Sequence, residues 1–540
     1  MAGSNFTQKK TLVFHHILFA ILPVLTLYAI NANKLLFPHI LWVMVLVVAA
    51  TLLMSIVANR ILKDVQKSAI IVSGFLILFF SFGHVIAIIT NISHLVNQYA
   101  AVRFFVETSI GLTIWLSLWL LIWIGLIFWV LRTKSNLNNP TFLLNVISFG
   151  LLVSVFIANS NFARQSVITD TPVSDQASQH WLQDRYTEEQ PLSSKTTYLP
   201  NIYFIILDAF GRQDMISKWY GLDLNDFVSF LEEKGFYVAG KSHSNYVTTT
   251  LSLSATLNFS YLDDYAGYAG TQSSDLTPMQ YLIAGNRTVA QLRSLGYRFV
   301  SFSTGYPYTE IKTADLYLGP TFNLNSFSST LLDNTPIFPF LLDTQYDYAR
   351  ERILYTFDHL GDTAISSKPS FVFAHILSPH PPFIFDDKGQ PTNPPRAYSN
   401  NDGSDFFQLG TRQEYIQGYR NQVLFASSRI RQTIEQILQN SPQPPIIIIE
   451  GDHGSGLNLD QHDLAKTNVQ DRFSNLIAIY MPGMNSKMLY PDISSVNTFR
   501  VIFDNYFGTN YKLLDDRSYY STLDHPYKLV DITDRLGGAK

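Results

Sequence analysis

The sequence predicts two folds in one chain: an N-terminal bundle of five membrane-crossing helices, then a water-soluble α/β domain with a mostly parallel sheet and helices on both faces. Three observations predict this. The 540 residues are 47% hydrophobic but only 15% charged, rich for a soluble protein of a length that already exceeds a single core. The apolar excess falls in long stretches that end before Asn159. After Pro200, short β-branched runs alternate with longer amphipathic segments, as strands and helices do when they take turns along a chain.

The five stretches run from Thr11 to Ile30, Phe37 to Val57, Ser68 to Thr90, Ser109 to Leu131 and Pro140 to Ala158, each long enough as a helix to cross roughly 30 Å of hydrocarbon. Lys9 and Lys10 precede the first, but further spans follow and no small-residue cleavage site appears, so it reads as a retained helix. Lys9, Lys10, Arg60, Lys63, Lys67, Arg132 and Lys134 fall on one side of the expected bundle, and only Lys34 and Arg103 on the other. Basic residues stay inside, so the N-terminus is expected in the cytoplasm, and five crossings carry the rest of the chain to the outer face of the cytoplasmic membrane. His15, His16, His39, His84 and His94 lie in or beside these spans and read as packing or interfacial residues before any proton path. Trp115, Trp119, Trp123 and Trp129 recur at near-helical spacing and read as lipid-facing or interfacial packing.

From Asn159 to Leu199 the chain is polar and lacks a sustained apolar period, which marks a connector between a membrane domain at 1–158 and a soluble domain at 200–540. Within the soluble part, Asn201 to Leu207, Arg298 to Phe302, Ser370 to His375, Pro445 to Ile449 and Leu476 to Tyr480 read as buried strands. Tyr281 to Leu295, Tyr346 to Leu360 and Arg412 to Leu438 read as helices. In such sheets ligands bind beyond the carboxyl ends of the strands. The chain has no cysteine, which excludes disulfides, thiolate metal sites and cysteine nucleophiles. A net charge of −4 without a dense Lys/Arg run makes nucleic acid an unexpected partner.

Four segments carry chemistry. NIYFIILDAFGR delivers Asp208 at the end of a strand, and PIIIIEGDHGSG delivers Asp452 and His453 into a glycine-rich turn. Two carboxylates and an imidazole can converge there on one cation, a donor set that suits Zn²⁺, Mn²⁺ or Mg²⁺, although a lone Asp after a strand is often only a turn former or helix cap. SNYVTTTLSLSATLN leads hydroxyl residues into an apolar-periodic stretch, and a hydroxyl at a helix N-terminus beside a divalent ion is an activated nucleophile facing a phosphate-attracting site. Without the acidic pair it would read as a Ser/Thr helix cap. FVFAHILSPHPPF presents His380 in a Pro-rich turn, where an imidazole can bond a phosphoryl oxygen or protonate a leaving oxygen; His375, inside the strand, reads as a packed core residue.

The ordered set resembles the sulfatase-like branch of the alkaline phosphatase superfamily, and the helical anchor with an external domain looks like the lipoteichoic acid synthases and lipid A phosphoethanolamine transferases. The resemblance covers about residues 198 to 510. It implies an alkaline phosphatase type of α/β domain, with Asp208, Asp452 and His453 as metal ligands, Thr249 as a nucleophile that also binds the metal, and His380 as the histidine contacting the transferred group. Thr248 and Thr250 flank Thr249, so the assignment slips to a neighbour, Thr250 above all, if the local register differs.

The departures narrow the reading. The chain lacks the Cys/Ser-x-Pro-x-Arg signature from which sulfatases make formylglycine, which disfavours sulfate-ester hydrolysis by that route. For a second metal only His462 with Asp460 and Asp463 offers itself, so one divalent ion is expected, Mn or Zn first and Mg next. The expected activity is transfer of a phosphoglycerol- or phosphoethanolamine-type group from a membrane lipid donor to a glycan or lipid acceptor of the cell envelope through a phosphothreonine. The alternatives are an anchored phosphodiester or sulfate-ester hydrolase and a non-catalytic membrane scaffold; near-absence of intramembrane charge weakens a transporter. Arg472 and Asn475 read as structural, while Tyr306, Tyr308, Asp315 and the stretch Phe338 to Tyr348 are offered as an acceptor groove.

Overall fold

The computed structural model describes residues 11–30, 38–95, 109–168, 192–194, 198–320, 331–332, 334–365, 368–394, 398–483 and 488–537. The chain divides into two compact units, residues 1–170 with 324–342, and residues 171–323 with 343–540.

The first unit contains helices α1 (His15–Ile30), α2 (Pro38–Leu62), α3 (Val65–Leu95), α4 (Ser109–Arg132) and α5 (Asn138–Ile168). Four of them hold stretches long and apolar enough to cross a membrane: Ile40–Leu62, Val65–Val85, Thr113–Arg132 and Asn138–Ile157. The expected first span is helical only from His15, which leaves α1 apolar but shorter, at 16 residues. Leu53, Leu121, Phe142 and Phe149 are exposed on the outer faces, as lipid-facing side chains are. Some polar groups inside are paired across helices, while His15 Nε2, His16 Nδ1 and Thr141 Oγ1 are buried without a partner among the described residues. Asn145 Oδ1 accepts the N–H groups of Phe14 and His15 at 3.3 and 3.0 Å and so caps the start of α1 from α5, and His15 Nδ1 lies 2.6 Å from Ser73 Oγ. The tryptophans of α4 divide: Trp119 and Trp123 donate to the carbonyls of Leu78 and Ile71 and pack inward on α3, whereas Trp129 faces out. The side chains of His39 and His94 lie outside the described residues, as do Lys9, Lys10, Lys34 and Arg103.

The second unit is built on a seven-stranded sheet of β1 (Ile202–Leu207), β2 (Tyr237–Val238), β3 (Arg298–Phe302), β4 (Leu316–Leu318), β5 (Ser370–Ile376), β6 (Ile446–Glu450) and β7 (Ile477–Tyr480), in the order β2-β7-β6-β1-β5-β3-β4. β1 is central and parallel to both β5 and β6, β3 is parallel to β4 and β5, and β7 and β2 close one edge antiparallel. Alternation explains why β1 and β6 read as unbroken apolar runs. Tyr203, Ile205, Leu207, Ile447 and Ile449 pack into the core on one face, and Ile202, Phe204, Ile206, Ile446 and Ile448 into the core on the other. At about 1.5–3 kcal/mol for each large apolar side chain buried, these central strands fix the register on which the site depends. The five expected strands are present to within a residue at their ends. The expected helix from Tyr281 to Leu295 is instead two, Thr277–Ala284 and Arg287–Ser294, because Gly285 ends the first and Asn286 caps the second by accepting Val289 N–H at 2.8 Å.

Candidate metal centre and nucleophile

Parallel pairing of β1 with β6 sets Ile206 opposite Glu450, so the residues just past each strand, Asp208 and Asp452, leave the sheet side by side. The two turns are tied together: Ala209 N–H donates to Asp452 Oδ1 at 3.0 Å, and the Tyr419 hydroxyl donates to Ala209 O at 2.8 Å. The turn after β6 demands glycine at three places, the first being Gly451, where a Cβ would overlap the Phe210 carbonyl oxygen. A Cβ on Gly454 would overlap the Asp471 carbonyl oxygen, and one on Gly456 would overlap the Asp402 carboxylate.

Asp208, Asp452 and His453 each offer a ligand atom within 4.8 Å of the others, and all three residues are at most 2% exposed. His453 Nδ1 donates to Gly454 O at 2.9 Å, which directs the lone pair of Nε2 inward, 3.8 Å from Asp208 Oδ1 and 3.3 Å from Asp452 Oδ2. Those two carboxylate oxygens are buried and have no hydrogen-bond partner. Two orphaned anionic oxygens facing one imidazole lone pair would be costly by themselves and fit a divalent cation. Burial, with the nearby charge of Arg472, holds His453 below the usual imidazole range, which keeps it neutral as a ligand must be. Burial alone would raise Asp208, but the charges of His380 and His375 and the His375 hydrogen bond outweigh it and hold the carboxyl well below its usual range.

Helix α6 (Thr249–Asn258) begins at this centre after an extended Thr248. Thr249 Oγ1 lies 3.1 Å from His453 Nε2, while Thr250 Oγ1 turns to the Tyr306 hydroxyl at 3.2 Å. The register therefore brings Thr249, and not Thr250, to the ligand cluster. His380 shares a cavity of roughly 150 Å³ with Thr249, Asp208 and His453, and its Nε2 is 3.9 Å from Asp402 Oδ2.

The sulfatase family profile matches residues 200–505, more than half of the chain, over the same span as this sheet and centre. The chain belongs to the sulfatase family. It is accordingly an enzyme of the sulfatase-like phosphotransferase or hydrolase type, within the alkaline phosphatase superfamily. No curated protein matched it by sequence. Among solved structures it is similar to the zinc complex of the C-terminal periplasmic domain of EcEptC from Escherichia coli, at 13% identity and a TM-score of 0.43, covering 65% of this chain and 99% of that one. It is also similar to the integral membrane lipooligosaccharide phosphoethanolamine transferase A from Neisseria meningitidis, at 13% identity and a TM-score of 0.38, covering 90% and 94%. The periplasmic domain of phosphoethanolamine transferase EptC from Campylobacter jejuni follows at 12% identity and a TM-score of 0.35, covering 57% and 89%.

Around this sulfatase-family centre stand residues that sequence reasoning passed over. Asp402, in an Asn-Asp-Gly turn that reads as a mere loop, accepts from Arg472 Nη1 at 2.7 Å and from the Tyr415 hydroxyl at 2.7 Å. Arg472, expected to be structural, makes a structural contact, its Nε holding Val247 O at 2.9 Å next to the start of α6, and its side chain also lines the cavity that holds Thr249, Asp208 and His453. His375 is buried in β5, and its Nε2 lies 3.1 Å from Asp208 Oδ2 with Nδ1 2.8 Å from the Thr309 hydroxyl, so it fixes the carboxylate whose other oxygen faces the cluster. Asn475 is structural, its amide donating to Gly451 O. Tyr306 lines the cavity, but Asp315 pairs with Arg293 and accepts Phe299 N–H instead. His462 is half-exposed between Asp524 and Asp405, and Asp460 and Asp463 accept local backbone N–H groups; none of the three joins the cluster.

Proposed function

We propose that this enzyme moves a phosphoryl-linked group, of phosphoglycerol or phosphoethanolamine type, from a membrane-lipid donor to a glycan or lipid acceptor of the cell envelope through a phosphothreonine at Thr249. One observation carries the reading: the Thr249 hydroxyl, on the first turn of a buried helix, sits 3.1 Å from His453 Nε2, in a cluster with two carboxylates that each keep one oxygen unpartnered. Asp208, Asp452 and His453, with Thr249, would hold one divalent ion, Mn or Zn first and Mg next. When bound, such an ion lowers the pKa of a neighbouring hydroxyl and offsets charge on phosphoryl oxygens.

The chain's own groups supply the rest. Thr249, having lost its proton to solvent before attack, bonds through its oxygen to phosphorus while the bond from phosphorus to the lipid oxygen breaks on the opposite side. Burial opposes a proton on His380, but Asp208 and Asp402 outweigh it and raise its pKa, and His380 gives that proton to the departing oxygen. The acceptor hydroxyl then returns a proton to His380 as its oxygen takes the phosphorus and the bond to Thr249 breaks. A second cavity of roughly 330 Å³, walled by Phe383, Phe385, Phe406 and Leu409, shares Asn401 and Asp405 with the first, so an apolar leaving group has a place beside the acid. Water in the acceptor's place would give a phosphodiester hydrolase.

In this reading residues 1–158 are a membrane domain crossing five times, α1 included, 159–199 a linker, and 200–540 a catalytic domain outside the cytoplasmic membrane. The excess of Arg60, Lys63, Lys67, Arg132 and Lys134 at one end of the helices supports that orientation. Mass spectrometry of the full chain after incubation with membrane lipids tests the proposal. A covalent adduct on Thr249 is expected, with a mass that names the group; an adduct elsewhere, or turnover by Thr249→Ala, would refute it.

A further inference from the structure

The connection between α2 and α3 and that between α4 and α5 lie together around a polar cavity of roughly 760 Å³. Gln66 at the start of α3 donates to Asn138 at the start of α5 at 2.6 Å, which pins the two turns to each other. Three cations line the cavity: Lys67, Arg132 and Lys134. The one acid in its wall, Asp64, is occupied as the cap of α3, its Oδ1 accepting the N–H groups of Gln66 and Lys67 at 3.0 Å each. Among the described residues none of the three cations forms an ion pair. Lys67 Nζ reaches only the Leu131 carbonyl, at 3.4 Å, and the Arg132 guanidinium lies 4.2 Å from the Phe128 ring centroid.

Three cations against the single carboxylate of Asp64 leave an excess of positive charge, which an anion would offset. Helices α3 and α5 begin at this cavity and α4 ends at it, so their dipoles oppose one another there and the side-chain charges set its potential. One turn back along α4, Phe128 and Trp129 are exposed on the apolar surface, as aromatic side chains at the boundary of hydrocarbon and headgroups are.

We propose that this cavity holds the phosphate of an anionic phospholipid from the leaflet at this end of the helices. The cations supply the charge and the Arg132 fork supplies paired donors. The exposed aromatic pair beside them gives the lipid's apolar part a surface to lie on, which a free phosphate ion would leave unused. This site is separate from Thr249, and its occupancy is independent of the chemistry proposed there.

The test is native mass spectrometry of the full-length protein released from detergent, after mixing with phosphatidylglycerol, with phosphatidylcholine, or with inorganic phosphate. Retention of phosphatidylglycerol about tenfold or more above phosphatidylcholine is expected, with little retention of inorganic phosphate. Lys67→Gln, Arg132→Gln and Lys134→Gln combined should remove the preference, while Lys67→Arg with Lys134→Arg should keep it. Should the neutralised variant fail to fold, 0.5 M salt, on the order of a 4 Å Debye length, should erase the preference of the unaltered protein. Equal retention of the two lipids, or a preference that survives both neutralisation and salt, would overturn the proposal. Inorganic phosphate bound as well as phosphatidylglycerol would replace the lipid with a soluble anion.

Discussion

Ala209 N–H donates to Asp452 Oδ1 at 3.0 Å while Ala209 itself holds φ at +62°, in the left-handed region. The residue that follows one ligand of the cluster is thus strapped to another ligand, in a conformation costing a non-glycine residue about 1–2 kcal/mol. The strap leaves Asp452 Oδ2, without a partner, to face Asp208 and His453.

Substitution at Ala209 should separate backbone strain from side-chain bulk. Ala209→Gly relieves the strain but adds freedom to the unfolded chain, so stability should change by less than about 1 kcal/mol and activity should persist. Ala209→Val puts a β-branched residue at positive φ in a fully buried site, and should lose about 2 kcal/mol or more together with metal affinity. Thermal unfolding and metal content read both. Equal behaviour of the two variants would mean that the strap does not hold the ligand turn.

Removal of the metal should destabilise the second unit, because Asp208 Oδ1 and Asp452 Oδ2 would then face each other unneutralised. A ligand present at 100 times its Kd adds about 2.7 kcal/mol, so chelation should lower the melting temperature measurably and Zn²⁺ or Mn²⁺ should restore it. Asp452→Asn should abolish the metal-dependent shift, whereas Asp463→Asn, whose carboxylate caps Ala465 N–H and pairs with Lys466 away from the cluster, should leave it intact. A shift that persists in Asp452→Asn would place the ion elsewhere.

How much of this was legible in the sequence depends on which residues act through their neighbours in the chain. Asp208, Asp452 and His453 end apolar runs, and parallel pairing of β1 with β6 suffices to juxtapose them, so strand period alone points to the cluster. Thr249 against Thr250 needed a helix phase that sequence cannot give to one residue; the structure turns one to His453 and the other to Tyr306. Asp402 was invisible because its partners, Arg472 and Tyr415, come from segments 70 and 13 residues away and no local pattern links them. The antiparallel edge of β7 and β2 was equally hidden, since a four-residue and a two-residue strand carry no directional signal.

The Arg472–Asp402 pair should behave as a buried unit, each side chain being 3% exposed. Loss of one partner leaves the other buried and uncompensated, so Asp402→Asn or Arg472→Met should each cost about 3–5 kcal/mol. The double change Asp402→Asn with Arg472→Met should cost less than the sum of the two without recovering turnover, because Asp402 also faces His380. Denaturant unfolding and activity assays on the four proteins form the cycle. Additive losses would show that the two side chains act independently.

The pH profile should report His380. Burial by itself would depress this imidazole, but the charges of Asp208 and Asp402 raise it above the usual 6.5. For a raised folded-state pKa the sign is fixed: the stability gained from the proton is complete below 6.5 and is lost as pH climbs through the higher folded value. Turnover should follow the same proton, falling as pH climbs through the folded value and the acid for the leaving oxygen disappears. Removing a raising charge with Asp402→Asn should move that alkaline limb to lower pH. His380→Gln should cut kcat/KM by about 10²–10⁴-fold and abolish the limb altogether. An alkaline limb unchanged in His380→Gln would assign the titrating proton to another group and deprive His380 of its role as the acid.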